Sequence, residues 1–243
     1  MRTGNPALSD KAFDRSLADV DGDVMTLSGT VNKSFALILL VLAGAGVTWW
    51  QFFQGSELIM MFMIGGGIGG FIMAMVTIFN KKGSRITAPI YAILEGLFLG
   101  GLSAYLENMF PGIVIQAVAL TLGVFIGLLL AYKSGWIKAT ENFKLGVVAA
   151  TGGIALVYLI SFIGSFFGAG IPFIHSSGTF GILFSVFVVV IAALNLVLDF
   201  DFIESGVERG APKYMEWYAS FGLLLTLVWL YVEILRLLSK LRD

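Results

Sequence analysis

The feature that most constrains this chain is a series of long apolar stretches separated by short polar breaks. A helix needs about 20 mostly apolar residues to cross the roughly 30 Å hydrocarbon core of a bilayer. Six stretches meet this requirement, and a seventh meets it with two charged residues near its end: residues 34–53, 58–79, 88–106, 113–132, 145–167, 179–198 and 221–238. We therefore predict an all-α membrane protein, a bundle of seven transmembrane helices.

The composition supports this assignment and excludes other classes of protein. The chain is 58% hydrophobic and 13% charged, whereas soluble domains have about 45–50% and about 25%. Its net charge of −1 does not provide the basic face that a nucleic-acid-binding protein needs. With no cysteine and a single histidine, thiolate catalysis, zinc–thiolate sites and imidazole clusters are excluded. We predict a lipid bilayer as partner, no nucleic acid and no bound cofactor.

The distribution of basic residues predicts the orientation. Residues 1–33 read as a polar tail and residues 34–243 as the transmembrane domain. The breaks after spans 1, 3 and 5 contain no Lys or Arg, whereas those after spans 2, 4 and 6 and the tail contain many, and short basic segments stay in the cytoplasm. The tail is therefore predicted to be cytoplasmic. Arg236, Lys240 and Arg242 follow span 7 and do not fit this rule, so either they snorkel to the headgroups or the last span does not cross fully.

Pairs of glycines four residues apart predict where helices approach closely. Lipid gives helices no hydrophobic reason to associate, so membrane helices pack through small residues. The pairs are Gly65/Gly69, Gly66/Gly70, Gly96/Gly100, Gly123/Gly127 and Gly164/Gly168.

Four acidic residues in or at the ends of spans are the candidate functional residues. They are Glu95 in span 3, Asp199 and Asp201 at the end of span 6, and Glu233 in span 7. Ionisable side chains are expensive inside a membrane and indicate ion or proton pathways. Because spans 1–6 contain no Lys or Arg, we expect these acids to have no basic partner and so to share protons, bind a cation or face water.

Each acid also has a simpler interpretation. Glu95 can stay protonated and hydrogen-bond within the bundle, and Asp201 can lie solvated at the interface. Glu233 can pair with Arg236, three residues further along the same helix. Two acids that do approach each other cannot both ionise cheaply, so they would act as a pH switch, and their oxygens would also suit Ca²⁺. No peptidase motif or activating base accompanies the aspartates, so we do not expect an enzyme.

Three short stretches resemble the Bax inhibitor-1 family, also called the transmembrane Bax inhibitor motif family, in its bacterial branch. Residues 198–203 (LDFDFI) resemble the end of the family's sixth span. Residues 230–235 (LYVEIL) resemble its last-span motif, with Glu in place of Asp, and residues 91–100 resemble its glycine-bearing third span. With the span pattern, the likeness covers about residues 30–241.

The resemblance implies a seven-helix bundle with the last helix central and a proton-sensitive calcium leak. In the family, the acids matching Asp199 and Glu233 form a carboxyl–carboxylate pair that gates the pore. The arginine that some members carry in span 2 has no counterpart here. If a simple hairpin turned at residues 210–212, Glu233 would lie about ten residues past the position opposite Asp199, or ~15 Å along the helix. The two acids could meet only if residues 202–217 made an excursion along the interface.

The resulting hypothesis is a bacterial inner-membrane protein that conducts Ca²⁺ or another cation passively. Asp199 and Glu233 would form its proton-controlled latch and a Ca²⁺ contact, and Asp201 and Glu95 are secondary candidates. One alternative is a non-conducting regulator of membrane proteolysis or the stress response, whose polar tail contacts a membrane protease or another membrane protein. Another is a proton-coupled transporter, which would accumulate its substrate against a gradient.

Overall fold

The computed structural model describes residues 23–168 and 176–243, and in that part of the chain seven long helices follow one another. They are α1 (Leu27–Phe53), α2 (Ile59–Phe79), α3 (Ser84–Met109), α4 (Ile113–Lys133), α5 (Glu141–Phe166), α6 (Thr179–Glu208) and α7 (Met215–Arg242). All seven are long and apolar enough to cross a membrane, which confirms the predicted all-α fold.

Several helices extend beyond the predicted spans because polar residues cap them. The Thr26 side chain accepts a hydrogen bond from the Gly29 amide, so α1 begins at Leu27 and already contains part of the predicted tail. Residues 1–22 of that tail lie outside the described residues. Thr140 caps α5 in the same way, which places Lys144 in the first turn of the helix rather than in the preceding loop. Such caps satisfy backbone N–H groups that have no partner within the helix.

The exposed apolar side chains are those expected of helices in lipid. Phe35, Leu39, Phe71, Ile115 and Phe162 are each at least 60% exposed, which would be costly in water but is favourable against acyl chains. In the most apolar windows of α3, α6 and α7, 50% of the residues are buried, against 17% in the other four helices. The last helix therefore belongs to the most buried group.

The chain divides into two compact units, and the division passes through α6 and α7. The N-terminal unit includes residues 23–114 with Phe202–Leu225, and the C-terminal unit includes Ile115–Asp201 with Thr226–Asp243.

In the N-terminal unit, α3 packs closely on α1 and α2 through glycines. A Cβ atom at Gly96 would overlap the Val41 carbonyl oxygen of α1, and one at Gly66 of α2 would lie 2.7 Å from the carbonyl oxygen of Leu94. The predicted packing role is thus confirmed here. The predicted packing role is wrong for Gly65, Gly123, Gly127 and Gly168, where no described atom outside the local backbone lies within 4 Å of an added Cβ.

The connection between α6 and α7 is a simple hairpin. The chain leaves α6 at Glu208, turns at Gly210 with a φ of 62°, and enters α7 at Met215. The extended residue Val24 pairs with Pro212 of this turn. The interfacial excursion of residues 202–217, which a meeting of Asp199 and Glu233 would require, is not formed, because helix occupies most of that segment.

In the C-terminal unit, α5 and α7 each run antiparallel to α6. Contacts pair later residues of α5 with earlier residues of α6: Lys144 with Asp201, Thr151 with Asn195, and Tyr158 with Phe184. These α5 residues recur every seven positions and so share one helix face. Near its end, α7 contacts the start of α6, where the Lys240 ammonium donates to the Ser185 hydroxyl at 2.9 Å.

Candidate functional site on helices α5, α6 and α7

Asp199 is completely buried on α6, in the C-terminal unit. Asn195, one turn earlier on the same face, is also buried, and its amide donates to the Thr151 hydroxyl of α5 at 2.8 Å. The same amide donates to the Ile191 carbonyl within α6 at 2.8 Å. Asp199 therefore lies beside a buried polar contact between two helices.

Asp201 has a basic partner, contrary to the sequence-based expectation. The ammonium of Lys144 lies 2.7 Å from its carboxylate, and the Lys144 side chain is only 3% exposed. Glu141 is a more distant second partner of the same lysine, at 3.8 Å. The expectation was wrong because Lys144 was assigned to a loop, whereas the Thr140 cap places it on α5, facing α6.

Glu233 is also neutralised, by groups from two helices. The Arg236 guanidinium lies 2.9 Å from its carboxylate, which confirms the simpler interpretation of this acid as one half of a local pair. The Tyr158 hydroxyl of α5 donates to the same carboxylate at 3.0 Å and accepts from Arg236 at 2.6 Å. The Arg236 guanidinium also lies over the Tyr158 ring, 5.1 Å from its centroid. The carboxylate of Glu233, only 2% exposed, is therefore part of a three-residue network that joins α5 to α7.

The basic residues at the end of α7 bind protein groups rather than headgroups alone. The Lys240 ammonium donates to the Gly181 carbonyl at 3.1 Å and to Ser185, and the Arg242 guanidinium donates to the Gln116 side chain at 2.9 Å. Together with the Glu233–Arg236 pair, these contacts give the cations at the end of α7 partners within the protein. This explains why they can lie there, although the distribution of basic residues in the loops does not predict it.

Asp199 and Glu233 are not brought together. The contact of Lys240 with Ser185 sets the antiparallel register of α7 on α6. Seven residues back from Lys240 along α7 is Glu233, and seven residues forward from Ser185 along α6 is Ala192, so these two residues lie at about the same level. Asp199 lies seven residues further along α6, or about 10 Å at 1.5 Å per residue. A hydrogen-bonded carboxyl pair has its oxygens about 2.5–3.0 Å apart. By this count the two acids lie about two helical turns apart along the helix axis, too far for a hydrogen bond between their carboxyl groups.

Glu95 belongs to the N-terminal unit and is half-buried on α3. Its carboxylate lies against Gly70 of α2, where an added Cβ would come within 2.9 Å of a carboxylate oxygen. Within residues 23–168 and 176–243, no group of three or more His, Cys, Asp or Glu side chains is arranged to hold a metal ion.

These contacts define a polar column on the facing sides of three helices in the C-terminal unit. We use this name for the residues that these contacts join, namely Lys144, Thr151 and Tyr158 of α5, Ser185, Asn195 and Asp201 of α6, and Glu233, Arg236 and Lys240 of α7. We include Asp199 because it is buried one turn from Asn195. Acidic, basic and neutral side chains all occur along it.

The chain matches a family model described as Bax inhibitor 1 like over residues 5–243, almost its entire length. The chain belongs to the Bax inhibitor-1 family. No curated protein and no solved structure gives a significant match to it. The predicted family is thereby confirmed, and all three motifs that suggested it lie within the matched range. In this member of the Bax inhibitor-1 family, the acid-bearing motifs of residues 198–203 and 230–235 both contribute to the polar column.

Sequence reasoning missed three charged or polar residues of this Bax inhibitor-1 family member. Lys144 was placed in a loop, although a capping threonine at Thr140 followed by the acidic Glu141 was a usable signal for a helix start. Tyr158 carried no signal, because a tyrosine within an apolar span is common. Glu216, which is completely buried in the N-terminal unit, fell in a stretch assigned to neither a loop nor a span.

Proposed function

We propose that this protein is a passive, pH-sensitive cation leak, with Ca²⁺ as the expected ion, in a bacterial inner membrane with its N-terminus in the cytoplasm. Family membership supports the proposal, and the polar column is the single observation that carries it. Buried charged and amide groups are costly in a bilayer and indicate a pathway for ions or protons.

The column has groups suited to each step of such a path. In the orientation that the loop charges predict, Asp201 and Lys144 lie toward the cytoplasm, and Glu233, Arg236 and Lys240 lie toward the opposite side. Asp199 lies between these ends and supplies a buried carboxylate that can replace part of a cation's hydration shell. Carboxylate and amide oxygens are the ligands that Ca²⁺ prefers.

Proton sensitivity follows from the ionic contacts that join the helices. Glu233 faces Tyr158 on α5 and Arg236 on its own helix, and Asp201 faces Lys144 and, through it, Glu141. Protonation of either carboxyl would remove the charge that binds its cation and would loosen α5 from α6 or α7. The proposed latch is therefore two separate acid–base contacts, rather than one carboxyl pair.

The test is Ca²⁺ flux into proteoliposomes loaded with a calcium dye, measured across a pH series. We expect flux that changes with pH, and we expect Glu233→Gln to reproduce at neutral pH the flux of the unaltered protein at low pH, because glutamine resembles protonated glutamate. Asp199→Asn should reduce flux at every pH. Glu57→Gln, an exposed position in the α1–α2 turn, is the matched control and should change nothing.

Two other outcomes would favour the alternatives. Flux no greater than that of empty liposomes at any pH would overturn the leak and favour the non-conducting regulator. Accumulation of Ca²⁺ against its gradient, driven by a pH difference, would indicate a proton-coupled transporter.

A further inference from the structure

An apolar layer interrupts the polar column near the middle of its length. Ile154 of α5 and Val188 and Ile191 of α6 are buried and pack together, and Trp229 of α7 packs against them. We use the name apolar layer for these four residues. All of them lie in the C-terminal unit, on the same three helices that form the column.

On α5 and α6 the residues of the layer lie between polar residues of the column. On α6, Val188 and Ile191 lie between Ser185 and Asn195, ten residues or about 15 Å apart along the axis. On α5, Ile154 lies between Thr151 and Tyr158.

On α7, Trp229 lies one turn before Glu233, which accepts from Tyr158 on the far side of the layer. The layer thus lies between the Asp199 end of the column, on α5 and α6, and its Glu233 end.

Such a layer stops hydrated ions because it excludes water, and it needs no charged side chain to repel them. Cavities lined only by aliphatic and aromatic groups stay dry, and hydrophobic constrictions in channels stop ions by excluding water. The polar groups on both sides can hold water, whereas the aliphatic side chains of Ile154, Val188 and Ile191 offer it no hydrogen-bonding group.

We propose that the apolar layer is the closed gate of the leak, opened when its helices separate enough to admit water. This inference rests on the function proposed above and adds the barrier that the acids control. The Glu233–Arg236–Tyr158 network lies one turn away and joins α5 to α7. Its loss would allow these two helices to move apart at the layer.

The test replaces Val188 with threonine, which has nearly the same shape but carries a hydroxyl. A helical threonine can donate to a carbonyl of its own helix, as Thr77 does to Met73 and Thr121 does to Ala117, so the variant can keep its fold. We expect Val188→Thr to raise Ca²⁺ flux about tenfold at the pH where the unaltered protein conducts least, equivalent to ~1.4 kcal/mol off the barrier.

The matched control is Val190→Thr on the same helix, where the side chain is 49% exposed and faces away from the column. It should leave flux unchanged. Ile154→Thr on α5 repeats the test from a second helix, in case one variant fails to elute as a folded protein on gel filtration.

The outcomes separate this inference from the proposed function. If the unaltered protein conducts and both folded layer variants match it at every pH, the gate is overturned and the leak stands. If no protein in the set conducts, the proposed function fails and the gate with it. A rise in both Val188→Thr and Val190→Thr would also overturn the gate, because the effect would then not depend on the layer.

Discussion

Removing the carboxylate of Glu216 should destabilise the protein without altering conduction. This group is completely buried and accepts hydrogen bonds from the Thr26 amide and hydroxyl, both at 2.9 Å. It also pairs with the ammonium groups of Lys33 and Lys213. Gly29 leaves the space that the carboxylate occupies, since a Cβ there would overlap it. The start of α1 is thus bound to the start of α7 through one side chain.

The expected magnitude follows from these contacts. Breaking a buried ion pair by removing one partner costs about 3–5 kcal/mol. The lysines here retain some access to water, with side chains 20% and 47% exposed, so they can be resolvated after the substitution. We therefore expect Glu216→Ala to lower the free energy of unfolding by about 2–3 kcal/mol.

The assay is reversible unfolding in mixed micelles with increasing dodecyl sulfate, followed by circular dichroism. Glu208→Ala, at an exposed position in the same hairpin, is the matched control and should change the free energy of unfolding by less than about 0.5 kcal/mol. Equal effects of the two substitutions would refute the assignment of Glu216 as the connection between α1 and α7. A changed pH profile of Ca²⁺ flux in a folded Glu216→Ala protein would show that this site also controls conduction.

Two further predictions test the packing and the acid network. Gly96→Leu should lower the free energy of unfolding by about 3 kcal/mol, because overpacking against backbone cannot be relieved by a rotamer change. Gly123→Leu on α4 is the control and should be tolerated. The same unfolding assay checks both variants, and equal tolerance would contradict the packing described for α3. Tyr158→Phe should cost about 1.5 kcal/mol, since its hydroxyl bonds charged groups, and combining it with Glu233→Gln should cost less than the sum of the single effects. Strict additivity in that cycle would contradict a shared network of Tyr158, Glu233 and Arg236.

The sequence was sufficient to predict the fold, because span length and hydropathy are local properties. All seven spans were located, and errors at their ends came from caps such as Thr26 and Thr140 that extend helices into polar sequence. Counting residues along a simple hairpin already indicated that Asp199 and Glu233 would lie apart, although the family resemblance led us to predict them as a pair.

The partners of the buried acids could not be predicted in the same way. The Glu233–Arg236 pair is local and was foreseen as an alternative. Lys144 and Asp201, however, are 57 residues apart, and Thr26 and Glu216 are 190 residues apart. Such contacts depend on which helix faces meet, and a single sequence does not contain that information.

The central claim is that cations cross the protein along the polar column, and a silver-block experiment tests it most directly. The chain has no cysteine, so Asn195→Cys introduces the only thiol, and Val190→Cys provides a matched thiol on the exposed face of the same helix. At the pH of greatest Ca²⁺ flux, Ag⁺ (a small thiol-binding cation) should block Asn195→Cys and leave Val190→Cys unaffected. Undiminished flux through Asn195→Cys in the presence of Ag⁺, or equal block of both variants, would contradict the account.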